Sequence, residues 1–317
     1  MQCRVTVLTT VLLGAVVLAG CATGGQAPLV HHEVVGTGPA VVVLHGGPGV
    51  AHDYLRPEWD RLAAAGYRVI YYDQRGCGRS PGAPPFRWKR DVEDLDRLLG
   101  RVSPDGPVVL AGSSWGPHLA LLFARERPDR VRALVLSGTP PWPDWAAHLE
   151  TSDELSRVLV ESGARTPAQI ARTDSLNSGL RPSALPPPDS VALVAAGLPP
   201  VLAGRIAAHP TGNGSCPDVW LSKMAEAHTL PPMDSLAAVR APTLLVEGTR
   251  FVPRAPDGSR SVAAVIPNAR VVSVNAGHDP WLEAPDEFFR VVTDFLNGLG
   301  SAGTANQSAP PGAAGER

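Results

Sequence analysis

The stretch Val108-Val109-Leu110-Ala111-Gly112-Ser113-Ser114-Trp115-Gly116-Pro117-His118-Leu119-Ala120-Leu121-Leu122-Phe123 decides how the rest of the chain is read. It opens on an apolar run with the composition of a strand buried on both faces. It closes on a segment whose helical spacing brings Leu119, Leu122 and Phe123 to one side. Between the two lies G-x-S-x-G, centred on Ser114. Small flanking residues there let the chain reverse sharply from strand to helix, which holds the central serine in a strained backbone conformation with its hydroxyl exposed. A Gly/Ser turn alone means little; in this setting it marks Ser114 as a candidate nucleophile.

The whole chain can house such a site. Its 317 residues are 44% hydrophobic and 18% charged, the balance of a globular protein with one large core, or a core plus a smaller cap. A net charge of −2 and the lack of any Lys or Arg run give no electrostatic footprint for nucleic acid. No HExxH or Cys/His cluster suggests a metal, and no glycine loop carries the Gly-Lys-Ser/Thr of a nucleotide cradle, so no cofactor is expected.

Outward from the opening stretch, strand and helix signals alternate, which predicts an α/β protein with a mostly parallel central sheet and helices on both faces. The expected strands are Val41 to Leu44, Arg68 to Tyr72, Val108 to Ala111, Ala133 to Leu136, Thr243 to Val246 and Arg270 to Val274. Between the fourth and fifth lies an Ala- and Pro-rich segment, broken by "LPPPD", "GLPP" and "TLPPMD". We read 139–240 as a helical cap inserted before the penultimate core strand, over the carboxyl ends of the strands where ligands bind. The core is then 21–138 and 241–298. Residues 299–317 lack a periodic apolar pattern and are expected to be a disordered tail.

Residues 1–20 read as a targeting segment. Arg4 precedes an apolar run from Val5 to Leu18, short of the roughly 20 residues of a membrane span. The run ends in Leu18-Ala19-Gly20-Cys21, which is similar to a bacterial lipobox with Cys21 as the lipidated residue. An ordinary secretory signal is the other reading. Either way the mature chain is exported, to the outer face of a membrane through a lipid anchor or as a secreted protein. Of the four cysteines, Cys77 and Cys216 then remain in the mature core. They can pair in an oxidising compartment, although Cys77, inside the tight "RGCGRS" turn, favours a packed thiol.

A serine hydroxyl is a poor nucleophile without a base in hydrogen-bond reach. Of nine histidines, His278 is best placed, in "NAGHDPWLEAP" directly after the last strand signal. His31 and His32 precede the core and His148, His209 and His228 fall in the cap, positions that suit surface or packing roles. Donors for an oxyanion come from His45-Gly46-Gly47-Pro48-Gly49 after the first strand, where glycine leaves backbone N–H groups unobstructed. The expected pair is Gly47 N–H and Trp115 N–H.

Taken together, "HGGPGVAHDYL" (45–55), "YYDQRGCGRS" (71–80), "AGSSWG" (111–116) and "NAGHDPWLE" (275–283) resemble the α/β-hydrolase fold, and within it the proline iminopeptidase group of serine aminopeptidases. The resemblance spans about Val34 to Thr139 and Ala241 to Leu296. It implies Ser114 as nucleophile, His278 as acid and base, and Gly47 with Trp115 as the oxyanion hole. It also implies that Asp73, Arg75 and Arg79 tie the DQRGCGRS turn to neighbouring loops, the rival reading being that Asp73 or Arg75 touches substrate.

One part of the pattern is absent. The acid that orients the histidine belongs in a G-x-x-D stretch, where this chain has Gly248-Thr249-Arg250-Phe251. Asp257, Asp144 and Glu247 are weak substitutes, and Asp279 adjoins His278 too closely to reach its outer nitrogen. Loss of the orienting carboxylate costs a serine protease about 10⁴ in kcat. Reduced or rewired activity, or a binding protein on a hydrolase scaffold, follows as an expectation. The resemblance fades in the cap, where Glu150, Asp153, Glu154 and Glu161 can clamp a substrate amine or form the solvated face of a helix. Trp142, Trp145 and Trp220 can line an apolar pocket or glue cap to core. The expected partner is a small molecule or short peptide, cleaved as an N-terminal residue, an amide or an ester.

Overall fold

The computed structural model describes residues 29–139, 142, 200–208, 216–226, 229–250 and 258–305. Within them seven strands form one open sheet: β1 (His32–Val35), β2 (Ala40–Leu44), β3 (Arg68–Tyr72), β4 (Val108–Ser113), β5 (Val131–Ser137), β6 (Thr243–Gly248) and β7 (Ala269–Val274). Their order is β1-β3-β2-β4-β5-β6-β7, with β1 antiparallel to β3 and every other pair parallel. All six expected strands are present. β1 was not expected, because its sequence HEVV offers too short an apolar run; its pairing with Val69 to Tyr72 makes it a strand.

Eight α-helices are described: α1 (Arg61–Ala64), α2 (Trp88–Val102), α3 (Trp115–Glu126), α4 (Pro200–Ala207), α5 (Pro217–Glu226), α6 (Gly258–Val265), α7 (Pro280–Glu283) and α8 (Pro285–Ala305). Strand residues alternate between two apolar layers, as the period-2 side-chain direction requires. Val42, Leu44, Ile70, Tyr72 and Leu110 face α2, α3 and α6, meeting Leu95, Leu98, Leu119, Leu122 and Val262. Val41, Val43, Val69, Tyr71 and Ala111 face the other way, toward Trp59, Phe288, Val292 and Phe295. With both faces covered, β2 to β6 hold runs that are buried almost without interruption. Each fully buried leucine or valine there contributes on the order of 2 kcal/mol.

The order of strands also places the site. From β2 the chain steps to β3 on one side and then to β4 on the other, so the connections after β2 and β4 diverge around a crevice at their carboxyl ends. The loop that begins at His45 and the turn at Ser114 occupy those two positions.

The connection between β5 and β6 contributes α4 and α5, both tied to the core. Arg205 on α4 makes a two-pronged ion pair with Glu58 at 2.7 and 2.9 Å. Lys223 on α5 pairs with Asp91 of α2, both side chains buried. The Glu226 carboxylate accepts the Trp88 N–H at 2.9 Å and so satisfies a backbone donor at the start of α2. Trp142 is buried, donates from its indole to Pro231 O at 2.9 Å and stacks on His118, which is the packing role. Trp145, Glu150, Asp153, Glu154, Glu161, His148, His209, His228 and the Trp220 side chain lie outside the described residues, as do residues 1–28 with Cys21. At the other end α8 continues to Ala305, into the segment read as a tail, because the apolar pattern of 288–296 nucleates a helix that its polar end prolongs. No helix of the described residues is long and apolar enough to cross a membrane.

Candidate active site

Ser114 has φ 58° and ψ −110°, and among the described residues it is the only non-glycine with positive φ. It stands between the last residue of β4 and the first of α3. The surroundings force this conformation. A methyl group at Gly116 would lie 2.2 Å from Leu44 O, and one at Gly112 would lie 2.5 Å from Pro117 N, so only glycines let α3 turn back this tightly against β2 and β4. Holding a serine in a sparsely populated region costs roughly 1–3 kcal/mol, which the buried helix behind it offsets. The N-terminus of α3 then turns the positive end of its dipole toward the serine.

The loop after β2 packs against this elbow. Gly46 lies beside the Ser114 Cβ, and its N–H donates to Tyr54 Oη at 2.8 Å. Gly47 follows with φ 111°. Burial lowers the His45 imidazole to about 4, so the ring is neutral at pH 7. Its Nε2 accepts the Gln74 N–H at 2.8 Å, which leaves the proton on Nδ1 to donate to Gly46 O at 3.0 Å. The peptide that leads into Gly47 is therefore held at both ends.

His278 arrives from the opposite edge of the crevice. After β7 the chain folds back on the end of β6, with Thr249 N–H donating to Val274 O at 2.9 Å and Arg250 N–H to Ala276 O at 2.8 Å. Glu283 accepts the Gly277 N–H at 2.9 Å and pairs with Arg250 at the same distance. The imidazole packs on Gly138, where a methyl group would lie 3.0 Å from Cε1 and 3.2 Å from Nδ1. Ser114 N–H donates to Ser137 O at 3.0 Å. The Ser114 backbone and the His278 ring thus both meet the end of β5, one at residue 137 and the other at residue 138.

A buried polar group supports them from below. Trp281 donates from its indole to Ser113 Oγ at 3.0 Å. Asp279 is 3% exposed, and one of its carboxyl oxygens, Oδ2, is buried without a hydrogen-bond partner among the described residues. Burial raises its carboxyl above the usual range, against the positive influence of His278 and the Trp281 hydrogen bond. Burial, then the Asp279 charge, likewise pushes the Tyr54 phenol up. Sequence reasoning assigned Asp279 no role and passed over Tyr54, Ser113 and Trp281; only the helix-start pattern Asp279-Pro280 hinted at a structured turn.

The DQRGCGRS turn holds the neighbouring loops together, as the resemblance implied. Asp73 accepts from His52 N–H at 3.0 Å, His52 Nδ1 at 2.8 Å and Arg79 N–H at 2.8 Å. Against the burial that opposes ionisation, these bonds hold the Asp73 carboxyl well below the usual carboxylate range. Arg75 pairs with Asp94 at 2.6 Å, and Arg79 with Glu33 and Asp53. Glu33, His52 and Asp53 bring ligand atoms within 4.8 Å of one another, but two arginines and Asp73 already occupy them, so the set is an ion-pair network.

Of the substitute acids, Glu247 accepts from Ser273 Oγ at 2.6 Å and Arg260 at 2.5 Å, its partners on the β7 side. Asp144, Phe251 and Asp257 lie outside the described residues.

A strained serine at a strand-to-helix elbow, on the central strand of a mostly parallel sheet, agrees with the family comparison, in which residues 39–285 match the α/β hydrolase fold. The chain belongs to the α/β-hydrolase family. It is 41% identical over 100 residues to a proline iminopeptidase of Thermoplasma volcanium, covering 31% of this chain and 34% of that one. It is 27% identical over 275 residues to the proline iminopeptidase of Lactobacillus delbrueckii subsp. bulgaricus, covering 81% and 89%. The chain spans a third to a half of the length of the first three curated relatives it matches, 34%, 49% and 42%. Among solved α/β-hydrolase structures, VinJ superposes with a TM-score of 0.64 at 26% identity, over 84% of this chain and 94% of that one.

Proposed function

We propose that this α/β hydrolase is a serine aminopeptidase of the proline iminopeptidase type, working through an acyl-enzyme. The observation that carries the reading is the backbone of Ser114, φ 58° and ψ −110° at the N-terminus of α3. A chain tolerates such strain where an exposed nucleophile repays it. Ser114 Oγ attacks the carbonyl carbon at the N-terminal residue of the substrate while His278 takes its proton. The oxyanion forms against the N–H groups of Gly47 and Trp115. Gly46 N–H is committed to Tyr54, which leaves the duty in that loop to Gly47. His278 then returns the proton to the departing amine, and water releases the acyl group by the same steps in reverse. Of the three candidate acids for orienting His278, Glu247 is already engaged by Arg260 and Ser273. The apolar segment from Val5 ending in Leu18-Ala19-Gly20-Cys21 supports export with a lipid on Cys21.

The test is a fluorophosphonate probe followed by chromogenic substrates. The native chain labels at Ser114 and cleaves prolyl and alanyl anilides with a free amine, and Ser114→Ala does neither. An unlabelled Ser114 would leave a binding protein on a hydrolase scaffold. Equal turnover of acetyl-capped esters would make the protein an esterase.

A further inference from the structure

Two thiols from distant parts of the chain meet beside the oxyanion loop. Cys77 lies in the turn after β3, fully buried under Phe86 and Val219, and its N–H donates to Gln74 O at 3.0 Å. Cys216 precedes α5 in the inserted segment and packs against the same cluster. Its N–H donates to Gly49 O at 2.6 Å, so the residue touches the loop that carries Gly47. The two side chains thus share one small buried cluster with Phe86 and Val219. Hydrogen bonding from Cys77 lowers the Cys216 thiol and, together with burial, raises the Cys77 thiol. Cys216, the more accessible of the two, is thus the more readily ionised thiol.

We propose that Cys77 and Cys216 are a dithiol–disulfide pair whose oxidation locks the inserted segment onto the oxyanion loop. The oxidant is a small disulfide, R–S–S–R. The Cys216 thiolate attacks one of its sulfurs, forms Cys216–S–S–R and expels RS⁻. That RS⁻ takes the Cys77 proton and leaves as RSH. The Cys77 thiolate then attacks the Cys216 sulfur and expels the second RS⁻, which takes a proton from water. Two protein thiols are oxidised to one cystine while R–S–S–R is reduced to two RSH. The bond joins the turn after β3, the start of α5 and, through the Cys216 amide, Gly49. Any effect on turnover rests on the aminopeptidase reading above; the crosslink does not.

The experiment incubates the full chain in glutathione buffers stepped from reduced to oxidised, followed by alkylation, peptide mass mapping and thermal melts. The expected result is a Cys77–Cys216 linked peptide pair two hydrogens lighter than the dithiol, with Tm raised by roughly 5–10 °C. Both signals vanish in Cys216→Ser and return to the reduced pattern on adding dithiothreitol. Cys77 is buried, so Cys77→Ala joins Cys77→Ser in case the hydroxyl prevents folding. Glutathione adducts on Cys216 without the linked pair at every poise overturn the proposal, as does a linked pair that leaves Tm unchanged. Mass and Tm read the crosslink, so failure of Ser114 to label counts against the hydrolase reading and not against the lock.

Discussion

The Trp281 indole donates to Ser113 Oγ across 3.0 Å, joining the segment that carries His278 to the residue just before Ser114. The two catalytic candidates come from opposite halves of the sequence, and this bond, buried at both ends, ties their segments together. In Trp281→Phe the ring volume is nearly kept but Ser113 loses its donor. The expected cost is about 1–3 kcal/mol of stability with a several-fold fall in kcat and little change in KM. Urea unfolding beside steady-state kinetics checks it; a variant as stable and as fast as the parent sinks the assignment.

Gly138, with φ 57°, faces the imidazole of His278. An alanine there would place its methyl 2.5 Å from His278 O as well as 3.0 Å from Cε1, in a backbone region that alanine rarely adopts. Gly138→Ala is therefore expected to lower kcat by about 10²-fold through displacement of the base. Fluorophosphonate labelling at Ser114 should slow by a similar factor, because it needs the same proton transfer.

The strain at Ser114 makes a prediction about stability that is separate from catalysis. Ser114→Gly and Ser114→Ala both remove the proposed nucleophile, but only glycine takes φ 58° without steric cost. The glycine variant should be the more stable of the two by about 1 kcal/mol. Differential calorimetry decides it, and an alanine variant that melts at or above the glycine variant contradicts the strained elbow.

Stability should fall on mild acidification. The His45 value is depressed from 6.5 to about 4, so between those values the unfolded chain binds a proton that the folded chain does not. Folding free energy therefore drops as pH falls from 6.5 toward 4, by up to roughly 3 kcal/mol. Asp73, also depressed, adds a loss that begins near 3.8 and continues below it. Asp279 works in the opposite sense, since its raised value favours the folded state on the acid side. Comparing urea midpoints of the native chain and His45→Asn at pH 7, 5.5 and 4.5 isolates the histidine. Parallel curves would show that His45 does not carry the dependence.

The fold was legible because β2 to β6 are buried on both faces and announce themselves as uninterrupted apolar runs. β1 was not, since Val34 stands half exposed on an edge and its strand exists only by pairing with β3. The tight turns at Ser114 and Gly47 were legible because glycines at fixed offsets are needed for close approach, and close approach leaves a pattern in the chain. The partners of these residues leave no such trace. Nothing local joins His52 to Asp73; the pairing of β2 with β3 brings them together. Asp279 was set aside for adjoining His278, and its near-complete burial, which packing sets, leaves no mark in the local sequence. Cys216 shows the same limit, its role beside Cys77 being set by where α5 docks.

The reversal of strand order at β2 has one more consequence. The proposed nucleophile and oxyanion donors sit in two turns on adjacent central strands, whereas α4 and α5 belong to a separate excursion of the chain. Substitutions within that excursion are therefore expected to leave the two turns in place, provided the anchors at Glu58, Asp91 and Gly49 are kept.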